Sequence, residues 1–182
     1  MASKIKVDQI QTGDGTGTIA LQNQLSGMTH ASVPTLTTGH MPTGSVLQVV
    51  HFGTTSGVTN NSQTFVNTGL GTSITPISTS SKILIIIGQN IHKGGDGQID
   101  QMQLNITRDG TQLVQWAAEV LHDNGGLGHF DIYASQTYLD SPSSTSALTY
   151  RTQFRRRLAT SATMQVQYAA SRSSMTLMEI AG

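Results

Sequence analysis

The feature that most constrains this chain is a run of five apolar residues, Ile83 to Ile87, between Lys82 and Gly88. The run is rich in β-branched isoleucine and is far shorter than the ~20 residues of a membrane-spanning helix, so it predicts a β-strand. A strand of an isolated antiparallel sandwich exposes polar residues to water at alternate positions. Here both alternating sets are apolar, so we expect both faces of the strand to be covered.

A second stretch, from Met175 to Ile180, repeats this pattern near the C-terminus. No helix is evident that could cover a sheet, so we expect the cover to be another copy of the chain, in a closed oligomer such as a three-fold jelly roll. The alternative is that loops of the same chain cover these strands. The oligomer prediction assigns the interface to Ile83, Ile85, Ile87, Met175, Leu177 and Met178.

Short strand patterns separated by turn signals continue from Ser45 onward. Asp109-Gly110 lies between two alternating runs, and both residues tolerate positive φ, so we predict a β-hairpin there. Residues 112–121 could instead form a helical turn, because their apolar residues recur at helical spacing. Further strands are predicted at Val46–Phe52, Phe130–Leu139, Ala147–Phe154, Thr163–Tyr168 and Met175–Ile180.

Residues 1–44 differ from the rest of the chain because they contain no Phe, Tyr or Trp and carry clusters of turn-forming residues. Such a segment buries too little apolar surface to fold alone. Its first residues do alternate, and a strand of that kind can add to a neighbour's exposed sheet edge through Ile5, Val7 and Ile10. We therefore predict an extended N-terminal docking arm at 1–44 and an all-β body, an antiparallel jelly-roll-like sandwich, at 45–182.

Charge and cysteine content argue against several functions. Ten Lys and Arg balance ten Asp and Glu, and only 11% of residues are charged, which argues against a nucleic-acid partner bound through its phosphates. The chain has no cysteine, so it has no disulfide framework and no thiolate site. The lack of a signal-peptide core and of a long apolar run predicts assembly in a cytoplasm without membrane insertion.

Sequence signatures of catalysis and metal binding are missing. None of the six histidines forms an H-E-x-x-H pair, no serine lies in a G-x-S-x-G motif, and no two carboxylates are spaced as a glycosidase pair. A metal held near His122 and His129 is the alternative to loop histidines that face water. We expect no enzymatic activity, no metal and no cofactor. The run Arg155 to Arg157 divides between two strand faces, so we expect structural pairing rather than phosphate binding.

Four segments in order resemble a family of tailed-phage virion proteins described as tail-fibre-like or appendage proteins, particularly in phages of aquatic bacteria. They are Ser3–Ile10, Thr75–Ile85, Leu139–Tyr150 and Met175–Ile180. The resemblance implies a non-enzymatic particle component that attaches by its N-terminal segment and exposes its C-terminal body. It does not distinguish a tail from a capsid location.

We therefore expect a homotrimeric, short tail-fibre-like appendage of the virion that binds other phage structural proteins and a host-surface glycan, with avidity from three weak sites. One alternative is a capsid decoration or cement protein that stabilises capsomers, and another is a glycan-cleaving appendage enzyme. Host contacts are expected on the loops 92–97 and 123–128, with two aromatic residues as sugar-stacking groups. The candidate residues are His92, Lys93, Asp96, Trp116, Asp123, Asn124 and Tyr133, of which Trp116 could instead belong to the core.

Overall fold

The structure of the chain, a computed structural model, describes residues 41–95, 100–120, 129–158 and 161–182, with the backbone alone at 117–120. These residues belong to one compact unit, Thr38–Gly182. The predicted arm at 1–44 lies outside the described residues except for its last four, so the division into arm and body stays a prediction.

The described residues form an all-β fold, as the sequence predicts. The strands are β1 Val46–Thr54, β2 Val58–Thr59, β3 Val66–Ile74, β4 Lys82–Gly94, β5 Met102–Arg108, β6 Thr111–Val120, β7 Phe130–Asp140, β8 Leu148–Arg156, β9 Thr163–Val166 and β10 Ser173–Ile180. A 3₁₀ turn at Tyr168–Ala170 lies between β9 and β10. Every strand pairing is antiparallel, and the strands divide into two sheets that form a sandwich.

Strand β4 is the centre of the larger, six-stranded sheet. Along one edge it pairs first with β10 and then, from Ile91 to Gly94, with β9. Along its other edge it pairs with β7 from Ile83 to Lys93 without a register shift. β1 and β2 complete the sheet beyond β10 and β9, and the smaller sheet has the order β3-β8-β5-β6.

Alternate residues of β4 point into the sandwich and build two apolar clusters. Ile83, Ile85 and Ile87 belong to the first cluster, and Ile91 belongs to the second. The first cluster also contains Leu70, Ile74, Ile106, Leu148, Tyr150, Met175 and Leu177, and the second contains Met102, Leu104, Phe154, Ala162, Met164 and Val166.

The burial of the first cluster corrects the predicted oligomer interface. Five of the six assigned residues are core residues of the single chain, each at most 1% exposed: Ile83, Ile85, Ile87, Met175 and Leu177. They need no second copy to be covered, because the smaller sheet of the same chain packs on them. Met178, the sixth, is half-buried and points to the other side of the sheet.

A layer of buried polar side chains lies between the two apolar clusters. The hydroxyl oxygens of Thr68 and Thr152 are 2.5 Å apart. Thr152 also donates to Oε1 of Gln89 at 2.9 Å, and Nε2 of Gln89 donates to Oγ of Ser173 at 3.0 Å. These bonds join β3, β8, β4 and β10. Because a slip of one residue would turn these groups out of the layer, the bonds fix the register of both sheets.

The hairpin predicted at Asp109-Gly110 is confirmed, with φ of 50° and 85° at the two residues. The helical alternative for 112–121 is wrong over its described part, because Thr111–Val120 forms strand β6 and pairs with β5. Register shifts interrupt this ladder at three places. Such irregularities displace the apolar residues from strict alternation, and this is why their spacing resembled that of a helix.

Several strands differ from their predicted bounds by a few residues, and β4 extends to Gly94. β9 ends at Val166, two residues early, because Gln167 has a left-handed φ of 50° that leaves the strand conformation. Strand β3 was not predicted, since its glycines weaken the strand pattern. Gly69 has a φ of +80°, and the ladder with β8 shifts register between Asn67 and Gly71.

The arginine run has partners within the chain, as the structural interpretation predicts. Nε of Arg155 donates to Oε1 of Gln103 at 2.6 Å, and Nε of Arg156 lies 3.5 Å from Oδ2 of Asp100. These contacts tie the end of β8 to its neighbouring segments.

Replacing Thr152 by valine is expected to lower the free energy of unfolding by about 1–3 kcal/mol, because the amide of Gln89 and the hydroxyl of Thr68 lose a buried partner. Urea unfolding of the full chain measures this. The exposed Thr111→Val, a matched control at the start of β6, is expected to change stability by less than about 0.5 kcal/mol. Equal effects of the two substitutions would contradict a structural role for the polar layer.

Candidate functional site

The outer face of the six-stranded sheet, turned away from the smaller sheet, carries a row of apolar side chains across four strands. Register places Val49 of β1 beside Met178 of β10, Met178 beside Leu84 of β4, and Leu84 beside Leu139 of β7. Val49 is 54% exposed and Leu139 is 49% exposed. With their outward-facing neighbours they form what we call the apolar stripe: Val46, Val49, Leu84, Ile86, Leu139, Met178 and Ile180.

The stripe accounts for the second alternating apolar set in the run Ile83 to Ile87, the set that does not face the core. Lys82, Leu84 and Ile86 alternate with the core residues of β4, so they point outward, and Ile86 is 40% exposed. An antiparallel sheet face in contact with water normally carries polar residues. Among the outward positions described in the rows of the stripe, the ionisable side chains are Lys82 and His51.

A row of small residues crosses the outer face just beyond the stripe. Gly53 lies beside Ser174, Ser174 beside Gly88, and Gly88 beside Ser135. The guanidinium of Arg172 crosses this row at Gly53, where an added Cβ would come within 2.5 Å of its Nη2. This small-residue row separates the stripe from the second half of β4.

Aromatic and polar groups occupy the outer face beyond the small-residue row. The rings of His92 and Tyr168 are stacked with centroids 3.7 Å apart and an interplanar angle of 6°, and His129 stacks on His92 with centroids 5.7 Å apart. Nδ1 of His92 lies 3.6 Å from Oδ2 of Asp131. We call the outer-face set at this end the aromatic cluster: Asn90, His92, His129, Asp131, Tyr133 and Tyr168.

Asn90 holds the parts of the aromatic cluster in place. Its Oδ1 accepts the backbone N–H of Tyr168 at 2.9 Å, and its Nδ2 donates to Oδ1 of Asp131 at 3.3 Å. Asn90 is also the register partner of Tyr133, which is 61% exposed. The cluster therefore presents two tyrosine rings, since Tyr168 is 36% exposed, together with the partly exposed carboxylate of Asp131.

His92 lies beneath these rings and is 4% exposed. Its burial lowers the pKa of its imidazole below the ordinary value, and the neighbouring His129 lowers it further, while the carboxylate of Asp131 opposes both. The imidazole is therefore held towards its neutral form in the fold. Tyr168 and His129 both stack on this ring.

The structure corrects three of the predicted host-facing residues and places a fourth on the surface. His92 and Lys93 lie in strand β4 rather than in a loop, and both are buried. Trp116 is half-buried and packs against both apolar clusters, because it lies where β6 closes the core. Tyr133 is exposed on the outer face, although in strand β7 rather than in a loop.

The remaining predicted site residues lie outside the described residues. They are the docking residues Ile5, Val7 and Ile10 and the loop residues Asp96, Asp123 and Asn124. Their assignments stay predictions.

Sequence reasoning missed the outward residues of the stripe other than Met178, and most of the aromatic cluster. The signal for Leu84 and Ile86 is the second alternating apolar set of β4. The sequence alone does not distinguish this set from the set that faces the core. The signal for Tyr168 was not local, since its place over His92 depends on the left-handed turn at Gln167.

The described carboxylates have structural partners. Asp140 accepts from Nη1 of Arg108 at 2.6 Å and from the hydroxyl of Tyr150 at 2.7 Å. Glu179 accepts from Nε2 of Gln48 and from the backbone N–H of Ile77. Within the described ranges, no three histidine or acidic side chains group as metal ligands. No helix within those ranges has the length and apolarity needed to cross a membrane.

No protein-family model matches the chain, and no curated protein matches it. Among solved structures, it is similar to the VP2 subviral particle of infectious bursal disease virus, with 13% identity and a TM-score of 0.43 over 76% of this chain and 34% of that chain. A VP2 mutant of the same virus, in T=1 particles, has 12% identity and a TM-score of 0.40 over 75% of this chain and 37% of that chain. The chain thus spans about a third of the length of these structures.

Stability is expected to decrease as pH falls below about 6.5, the ordinary pKa of histidine. Below that value His92 takes up a proton in the unfolded chain, whereas the fold disfavours its protonation. The free energy of unfolding therefore decreases as pH falls, until pH reaches the lowered pKa of the folded state. Unfolding free energies measured by urea titration between pH 7 and 5 test this.

His92→Gln is expected to reduce the slope of the unfolding free energy against pH, whatever its effect on stability at pH 7. His51→Gln, on the exposed part of the same sheet, keeps His92 and is expected to keep the slope. A slope unchanged in His92→Gln would show that the imidazole does not govern this pH range.

Proposed function

We propose that this chain is a non-enzymatic structural protein of a virion, which forms a short, tail-fibre-like, homotrimeric appendage. In this proposal residues 1–44 dock to other structural proteins of a phage particle. The body then holds the aromatic cluster towards the host surface. The observation that carries the proposal is the division of one sheet face into an apolar end and an aromatic end.

Residues 41–44 lie at the apolar end of the body. The backbone N–H of Gly44 donates to the carbonyl of Ala181 at 2.8 Å, directly beyond Ile180. Met41 lines a shallow hollow together with Ile77 and Gly182. The last four residues of the proposed docking arm therefore lie beside the apolar stripe, and the aromatic cluster lies beyond the small-residue row.

The aromatic cluster has the chemistry of a weak carbohydrate site. Tyrosine rings provide apolar surface on which a sugar ring can stack, and their hydroxyls and the carboxylate of Asp131 can hydrogen-bond to sugar hydroxyls. Tyr133 and Tyr168 are both exposed, and Asn90 holds the cluster in place. Three such sites on one trimer would gain binding strength through effective concentration.

A non-catalytic role agrees with the use of the described carboxylates. Asp100, Asp140 and Glu179 are buried, and Asp140 and Glu179 accept the hydrogen bonds given above. Asp100 accepts the backbone N–H of Leu158 at 3.0 Å. A glycosidase needs two carboxyl groups facing one cleft, whereas these three hold segments of the sandwich together.

The location on the particle is tested by immunogold electron microscopy of virus particles that carry the full chain. Label on the tail is expected. Label distributed over the shell would favour the capsid decoration alternative, and the absence of label from particles would overturn the virion proposal. Shortening of host polysaccharide by the purified full chain would instead support the glycan-cleaving alternative.

Tyr133→Ala and Tyr168→Ala are each expected to weaken binding to surface polysaccharide extracted from the host bacterium by about fivefold, since stacking on one aromatic ring contributes about 1 kcal/mol. Biolayer interferometry with immobilised polysaccharide measures the loss. Phe52→Ala is the matched control, because Phe52 is a similarly exposed aromatic residue, 39% exposed, on edge strand β1. Equal binding by all three variants would exclude the cluster as the glycan site.

A further inference from the structure

We propose that the apolar stripe is the surface through which copies of this chain pack on one another, sheet face against sheet face. The proposal rests on the proposed oligomeric appendage. It places the contact between copies on the outer face, and not on the core residues that the sequence predicted for the interface. It commits to one occupant, another copy of this chain.

The exposure pattern shows that the stripe lacks a cover among the described residues. Leu139, Val49 and Val46 are each about half exposed, at 49%, 54% and 48%. They come from β7 and β1, so the apolar surface reaches both sides of β10 and β4. Apolar side chains aligned across four strands form a contiguous patch, and such patches on soluble proteins mark interaction sites.

The size of the face suits contact between two folded copies. Strands lie about 4.8 Å apart and rise about 3.3 Å per residue, so the four-strand face from the row of Val46 to the row of Gly53 covers about 500 Å² as a flat area. Side-chain relief raises its accessible area above this value. A stable interface takes about 800 Å² from each partner, which is of the same order.

The charges of the face permit contact between identical copies. Like charges that meet in an interface oppose association, so a self-associating face must carry few of them. In the described rows of the stripe, Lys82 lies at one end of the face, and Arg172 lies at the other end over Gly53. Between them His51 is the ionisable side chain, and it is hydrogen-bonded to Oγ1 of Thr176 at 2.9 Å.

The small-residue row allows the close approach that sheet packing needs. Two stacked sheets lie about 10 Å apart, with their side chains interdigitated. Ser174, Gly88 and Ser135 leave a shallow band next to the projecting Ile86 and Leu139. Projecting side chains of one copy can enter the band of another, which favours a second copy over a flat apolar surface as the partner.

The oligomeric state of the full chain tests the proposal, by size-exclusion chromatography with light scattering at micromolar concentration. The wild-type chain is expected to form an oligomer. Ile86→Lys and Leu139→Lys are each expected to weaken association by about tenfold or more, because a lysine would be desolvated in the contact. Leu139 is on an edge strand and half exposed, so its substitution tests the face even where Ile86→Lys disturbs folding.

Phe130→Lys is the matched control. Phe130 is 36% exposed and lies at the start of β7 beside Lys93, at the far end of that strand from Leu139 and outside the stripe. The same chemical change there is expected to leave association unchanged. Circular dichroism of all variants establishes that they are folded.

Cross-linking gives a second, independent readout, because the chain has no cysteine of its own. Ile86→Cys is expected to link two copies through a short bismaleimide, whereas Phe130→Cys is expected to remain unlinked. A wild-type chain that is monomeric, or an oligomer that Ile86→Lys and Leu139→Lys leave intact, would overturn the proposal.

The outcomes separate this proposal from the proposed function. A dimer disrupted by the stripe variants would support the surface and contradict the trimer. A monomer whose label is found on virus tails would overturn the surface and the trimer, and would leave standing only the proposed tail location.

Discussion

The register of strand β4 is the constraint on which the rest of the structure depends. β4 pairs with three strands, and its neighbours carry its alternation across the whole sheet. One set of alternate residues fills the sandwich and the other set forms the outer face. The hydrogen bonds of Gln89 to Thr152 and Ser173 hold this register, because apolar side chains alone would fit either alternation. The polar layer thus helps to select which isoleucines of β4 are buried.

Much of the fold could be predicted from the sequence, because strong strand patterns and one hairpin turn are local signals. The β-branched, apolar run Val46–Phe52 and the Asp109-Gly110 turn needed no tertiary information. The pattern at Ile83 to Ile87 predicted that both faces of the strand are covered, whereas the second sheet covers one face and Ile86 on the other face is 40% exposed. It could not show which set meets the second sheet, because both sets are isoleucine and leucine, and this choice is made by the polar layer and by β8.

The candidate site was less predictable, since its parts come together only in three dimensions. Tyr133 was identified by its residue type, but its partners Asn90 and Tyr168 lie 43 and 35 positions away in the printed sequence. The assignment of His92 and Lys93 to a loop failed because β4 extends to Gly94, well past the apolar run that revealed it. Polar residues in the second half of a long strand are hard to separate from loop residues by composition. Trp116 followed its more common role, as part of a core.

The polar layer also divides the interior into two apolar clusters, which has a consequence for how the body responds to force or heat. Each cluster is a separate unit of buried surface, so one can loosen while the other remains packed. The cluster containing Ile91 and Met164 underlies the tyrosine-bearing end, and the cluster containing Ile85 and Leu177 underlies the stripe. Local opening can therefore begin at one end of the outer face before the other.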